Sequence, residues 1–152
     1  MGSNAQTQLR SVAPVMDSTT TDVKLTLPAR PENVSVIRHV LGAFAEALRL
    51  PDELVEDLRL AVTEACTNVV RHAYTSDVPG PVEISIVPSE DVVSVVVSDR
   101  GRGVGTSADT NGPGLGLPLI SALADEVDLQ PVPGGGSRVA MTFARHRPGA
   151  AA

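Results

Sequence analysis

The stretch from Asp52 to Tyr74 carries two parallel lines of side chains, and this constrains the chain more than any other feature. Leu54, Leu58, Ala61, Val62, Ala65 and Val69 recur at helical spacing and form an apolar stripe. Asp57, Glu64, Asn68 and Arg71 form a polar stripe beside it. Glu64 and Asn68 are one turn apart, so both side chains leave one face of the helix. An apolar line next to a polar line suits a helix that covers a core and also walls a cleft.

The elements around this helix follow from spacing. Asp22 to Leu27 alternates polar and apolar, which predicts a strand with one buried face. Pro28 and Pro31 end it, and Pro31 suits the first turn of a helix. Val34, Ile37, Val40, Leu41, Phe44, Ala45 and Leu48 then continue at helical spacing until Pro51 separates the two helices. Val82 to Val87 and Asp91 to Ser98 read as strands, and the short link Pro88-Ser-Glu makes them a hairpin. Asp99 to Pro113 is glycine-rich and without period, the composition of a functional loop or lid. A helix is expected over Gly114 to Ala124. Two closing strands are expected near Glu126 to Gln130 and Ser137 to Ala144. Paired strands with segregated helices predict an α+β fold, with helices on one face of a largely antiparallel sheet. The expected domain spans 22–147, between a flexible tail at 1–21 and a short tail at 148–152.

Composition sets the outer bounds. The 152 residues fit one domain, and the core must be aliphatic, because the chain has no Trp, one Tyr and two Phe. A formal charge of −6 and the lack of aromatic stacking surfaces argue against direct nucleic-acid binding. Cys66 is the only cysteine, so no internal disulfide is possible and a reducing compartment is expected. No apolar run approaches the roughly 20 residues that span a bilayer. The expectation is a cytoplasmic protein with no membrane association.

Three short segments carry the chemistry. Asn68 offers an amide oxygen that could ligate Mg²⁺ without adding negative charge near phosphates. Glu64 is a carboxylate that could orient a nucleophile or take its proton. Asp99 follows an apolar strand and could accept a hydrogen bond from an exocyclic amine such as that of adenine. Gly101 and Gly103 let backbone approach a planar base. Gly114-Leu115-Gly116-Leu117 opens a helix, whose free N–H groups suit phosphate. Singly, each admits a structural account: a solvated helix face, a strand-ending turn, a flexible cap. His72, one turn beyond Asn68, could reach the phosphates, but a histidine at a helix end is also explained by the helix dipole. Ser137 could act near the base, although a glycine-rich hairpin loop explains Gly134 to Ser137 as well. The pattern is neither a Walker P-loop nor a Rossmann fingerprint.

In order, these segments resemble the boxes of the GHKL, or histidine kinase-like, ATPase superfamily. Glu64-x-x-x-Asn68 is similar to its N box, Asp99-x-Gly101-x-Gly103 to its G1 box, and Gly114-x-Gly116-Leu117 to its G2 box. The longer string Thr63-Glu-Ala-Cys-Thr-Asn-Val-Val-Arg-His-Ala-Tyr74 resembles bacterial anti-sigma factor serine/threonine kinases, as does Pro28 to Arg38. The likeness covers about residues 22–145.

It implies the Bergerat fold, a two-layer sandwich with helices on one face of a mostly antiparallel mixed sheet. It also implies an ATP–Mg²⁺ site. Asn68 would bind Mg²⁺, Glu64 would be the general base and Asp99 would hold adenine. Gly101, Gly103, Gly114, Leu115, Gly116 and Leu117 would line the nucleotide, with His72 and Ser137 near it. Arg38 would match a partner-contacting residue. The implied partners are a sigma factor and an anti-anti-sigma (STAS) protein phosphorylated on serine, and the implied assembly is a homodimer. One departure stands out: Val104 to Pro113 is short and holds no Lys or Arg, leaving Arg102 or Arg71 as candidates for a basic contact to the terminal phosphate. Two other readings compete. One is a binding module without phosphoryl transfer. The other is the ATP-binding half of a two-component histidine kinase, which needs a phosphoacceptor helix pair that the first twenty or so residues do not supply.

Overall fold

The computed structural model describes residues 22–75, 77–102 and 116–146. Along the chain run β1 (Val23–Pro28), α1 (Pro31–Ala47), α2 (Asp52–His72), β2 (Pro81–Pro88), β3 (Val92–Asp99), α3 (Gly116–Leu123), β4 (Glu126–Pro131) and β5 (Ser137–Ala144). The predicted order holds throughout, with ends differing by a residue or two. Gly103, Gly114 and Leu115 lie outside the described residues, as do both tails and the glycine-rich segment from 103 onward.

The five strands form one sheet in the order β1-β2-β3-β5-β4, and every pairing is antiparallel. Among the described residues the sheet therefore contains no parallel pair. Strand periodicity decides which side is covered. In β3, Val93, Val95 and Val97 are buried while Ser94, Val96 and Ser98 are only partly so. In β5, Val139, Met141 and Phe143 take the same side. Successive strand side chains point to opposite faces, so these rows make one apolar floor.

The helices cover that floor. Proline at the first position of α1 fixes its start, and Ile37, Leu41 and Phe44 are its buried stripe. In α2, Leu54, Leu58, Ala61, Val62, Ala65 and Val69 are all buried, as the stripe predicts, and Cys66 is buried with them. α2 is the middle helix: it contacts α1, α3, β3 and β5. Fully burying one aliphatic side chain contributes roughly 1.5–3 kcal/mol, so α2 is anchored mainly through this stripe. The result is the α+β two-layer sandwich expected, with α2 laid along the sheet and its C-terminal end directed at the end of β3.

Candidate functional site

Asp99 occupies the last inward position of β3. The period that buries Val93, Val95 and Val97 brings the next alternate residue to the same helix-covered face, and that residue is a carboxylate. Its side is 2% exposed. A buried carboxylate must be hydrogen-bonded. Here Oδ1 accepts from the Gly101 backbone N–H at 2.8 Å, and Oδ2 accepts from the Ser137 hydroxyl at 2.7 Å. Ser137 is Asp99's register partner in β5 and is 3% exposed. It is the first residue of β5, where the predicted strand also begins, and its hydroxyl is spent on Asp99. A carboxylate has about four acceptor positions, so Asp99 keeps capacity for a further donor.

Two backbones come close around this side chain. A Cβ at Gly101 would run into the Ala73 carbonyl oxygen, so only glycine lets the turn after Asp99 lie on the end of α2. A Cβ at Gly136 would run into the Asp99 carbonyl oxygen, and Gly136 has φ of +106°, a conformation that favours glycine.

The end of α2 is bonded to the same turn. The Arg102 N–H donates to the Ala73 carbonyl at 2.9 Å, and Arg102 Nε donates to the His72 carbonyl at 2.8 Å. Helix ends leave carbonyls without intrahelical partners, and the turn supplies donors for two of them. Tyr74 completes the junction. Its hydroxyl accepts from the Arg100 N–H at 2.8 Å and donates to the Pro81 carbonyl at 2.6 Å. The ring lies over Gly80, where a Cβ would overlap it. Burial pushes the Tyr74 hydroxyl above its ordinary value, so it stays protonated and serves both bonds at neutral pH. Arg100 also pairs with Glu83 at 3.1 Å, but this pair is exposed and contributes little.

The carbonyl of His72 takes part in this junction; its ring makes no hydrogen bond among the described residues, and the side chain is partly buried. Asn68 and Glu64 lie one and two turns back along α2, partly buried, and neither has a side-chain hydrogen bond among the described residues. Gly116 opens α3, and Leu117 packs against the core beneath α2. Four elements therefore converge on Asp99: β3 carries it, β5 and its own turn hold it, and α2 and β2 grip that turn. Of the two arginines proposed for a terminal phosphate, Arg102 is tethered to α2 and Arg71 is exposed on it.

Tyr74 is the residue that sequence reasoning passed over. It stands at the end of the motif string beginning at Thr63, it is the only tyrosine, and a buried Tyr hydroxyl generally needs a partner. Those signals were available but did not say which strand it would join. Cys66 is different: burial pushes its thiol up to about 12, so it is an inert core residue.

This geometry, a buried carboxylate at a strand end gripped by a long helix, coincides with a family match. Residues 27–143 match the family described as Histidine kinase-like ATPase domain, and the chain belongs to it. Within that family it is RsbW-like. It is 36% identical over 144 residues to Serine-protein kinase RsbW of Bacillus pumilus, covering 84% of this chain and 88% of that one. It is 37% identical over 123 residues to Serine-protein kinase RsbW of Bacillus subtilis, covering 71% and 77%. The fold also matches a crystal structure of the RsbU and RsbW domains of a Mycobacterium tuberculosis protein, with a TM-score of 0.68 at 22% identity. That match covers 84% of this chain and 33% of the longer one. No helix among the described residues is long and apolar enough to cross a membrane.

Proposed function

We propose that the chain is an ATP-dependent protein serine kinase that phosphorylates an anti-anti-sigma (STAS-type) antagonist and sequesters a sigma factor, acting as a cytoplasmic homodimer. The observation that carries the reading is Asp99: a carboxylate buried at the end of a row of core valines and held from both oxygens. Such a group is costly to bury and has no role in the apolar core. Its position suits a base that presents an exocyclic amine. Identity to serine-protein kinases over most of the chain supports the same assignment.

The residues present fit ATP and Mg²⁺. Asp99 retains acceptor capacity, Gly101 and Gly136 bring backbone close, and Asn68 offers an unengaged amide oxygen. When bound, the nucleotide supplies the phosphoryl group that is transferred. Glu64 would accept the proton of a partner serine hydroxyl during transfer of that group, with ADP as the leaving group. Asn68 would hold the metal, and Gly103, Gly114, Leu115, Gly116 and Leu117 would line the nucleotide. His72 and Ser137 complete the binding set, Ser137 by holding Asp99.

The test is transfer of labelled terminal phosphate to a cognate antagonist, with Glu64→Ala as the comparison. The expected result is loss of transfer by at least about a hundredfold, the lower range for general-base removal, with ATP binding largely kept. Equal transfer by both proteins would exclude Glu64 as the base. A second reading, binding without transfer, is favoured by one observation: the absence of Lys or Arg between Val104 and Pro113. Measurable ATP affinity with no transfer to any antagonist would select it.

A further inference from the structure

The chain leaves Asp99 through a turn that is bonded at each step. Arg100 N–H donates to the Tyr74 hydroxyl, Gly101 N–H to Asp99 Oδ1, and Arg102 N–H to the Ala73 carbonyl. Arg102 adds a second bond from its side chain, Nε to the His72 carbonyl at 2.8 Å, between residues thirty apart in sequence. Backbone and side chain of one residue thus clamp two successive carbonyls at the end of α2. Only Gly101 stands between that clamp and Asp99, and its backbone lies on the Ala73 carbonyl with no room for a Cβ. The placing of Arg102 therefore sets the placing of the Gly101 N–H, and that N–H orients Asp99 Oδ1.

The clamp also fixes where the charge of Arg102 sits. A helix C-terminus carries partial negative charge and carbonyls without intrahelical partners, and both favour a cation there. A guanidinium is planar and rigid, so with Nε on the His72 carbonyl its Nη nitrogens stay at the same helix end. Support of the turn uses this arrangement as it stands, whereas a contact to a terminal phosphate would compete with it. We propose that Arg102 is a positioning residue: it acts through the Gly101 turn on Asp99, and so on the nucleotide's base, and is not the basic contact to the terminal phosphate. The proposal rests on the assignment of Asp99 to the base made under the proposed function.

Covalent reach separates the two roles. The amide nitrogen of glutamine stands as many bonds from Cα as arginine Nε does, and it donates there. Lysine keeps the charge, but its nitrogen stands one bond further out. Methionine matches the stem and has no N–H. A phosphate contact ranks lysine above glutamine, because charge makes that contact. A clamp through Nε ranks glutamine above lysine.

The test uses the full chain labelled with ¹⁵N, as wild type and as Arg102→Met, Arg102→Gln and Arg102→Lys. It follows amide exchange at Gly101 and the affinities for a non-hydrolysable ATP analogue, ADP and adenosine. Arg102 is exposed, so each variant should fold. Arg102→Met should speed Gly101 exchange and weaken all three ligands by a similar factor, about three- to tenfold, the range of one hydrogen bond. Arg102→Gln should recover most of both losses, and Arg102→Lys should recover less. A bond that served stability alone would lower the urea midpoint and leave the three affinities as they were. A loss confined to the ATP analogue, or tighter binding by Arg102→Lys than by Arg102→Gln, assigns Arg102 to the terminal phosphate and overturns the proposal. So does an Arg102→Met protein with wild-type Gly101 exchange or wild-type affinities. A wild-type chain that binds none of the three ligands removes the base assignment itself. A chain that binds all three and is indifferent to Arg102→Met keeps that assignment and loses only the positioning role.

Discussion

Replacing Asp99 with asparagine separates what the carboxylate does for the fold from what it does for a nucleotide. The amide oxygen can still accept from the Gly101 N–H at 2.8 Å. The amide NH₂ then faces Ser137 Oγ at 2.7 Å, where the hydroxyl can turn and accept instead of donate. Both local bonds survive in neutral form, and each loses only its charge-assisted part. Against that loss stands relief from burying a charge, so the net destabilisation should be about 1–2 kcal/mol. Nucleotide binding has no such compensation. An adenine amine that donated to the carboxylate loses a charged acceptor, about 1.5–3 kcal/mol, which weakens the Kd by roughly 10- to 150-fold. Guanine presents an acceptor where adenine presents a donor, so the asparagine amide should narrow the preference for ATP over GTP. Calorimetric titration with non-hydrolysable ATP and GTP analogues measures the binding, and urea denaturation measures the fold. A folded Asp99→Asn protein that keeps both its ATP affinity, within about threefold, and its base preference would refute the assignment of Asp99 to the base.

Three further outcomes follow from the same junction and the core beside it. Gly136→Ala places a Cβ against the Asp99 carbonyl oxygen in a backbone conformation with φ of +106°; a loss of about 2 kcal/mol or more is expected by thermal or urea unfolding. An unchanged midpoint would mean that the hairpin shifts freely. Tyr74→Phe removes the acceptor for Arg100 N–H and the donor for the Pro81 carbonyl; it should cost about 1–2 kcal/mol and speed amide exchange at Arg100 to Arg102. Exchange unaltered in that turn would show that Tyr74 does not hold it. Cys66 gives a pH signature. The unfolded chain releases this thiol proton from about the ordinary value of 9.0, and the folded chain holds it to about 12. The folded state thus binds more protons in that window, so its stability is fully present below 9.0 and falls as pH rises toward 12, by up to about 1.4 kcal/mol per pH unit from this group. Cys66→Ala should remove that part of the alkaline slope, as read by urea midpoints across the window.

The fold was largely legible because two periods dominate it. The helical spacing of Leu54, Leu58, Ala61, Val62, Ala65 and Val69 named the buried face of α2 without reference to anything else, and each is buried. Strand alternation in β3 did the same for its valines. Followed two residues further, that alternation also places Asp99 inward, and the row Phe143, Met141, Val139 run backwards reaches Ser137. The strand was expected to begin at Ser137, but its pairing with Asp99 was not, because alternation within one strand does not say which residue of another lies opposite. Tyr74 and Arg102 were less legible for a related reason. Their roles depend on which backbone lies opposite, Pro81 and Arg100 for one and His72 for the other. Local spacing does not carry that information.

The bonds around Asp99 also bear on how a site of this kind would work. An acceptor aimed at a ligand is most effective when it is already oriented, since no ordering cost then falls on binding. Asp99 is oriented by Gly101 and Ser137, Gly101 fits only because it lies on the end of α2, and Tyr74 ties that end to the first residue of β2. The helix that carries Glu64 and Asn68 is thereby fixed against the strand that carries Asp99. Neither the one-turn spacing of Glu64 and Asn68 on α2 nor the carboxylate on β3 could hold that relation alone. Tyr74→Phe should accordingly leave each group in place on its own element while weakening nucleotide affinity and phosphoryl transfer together, because what it loosens is the register between them.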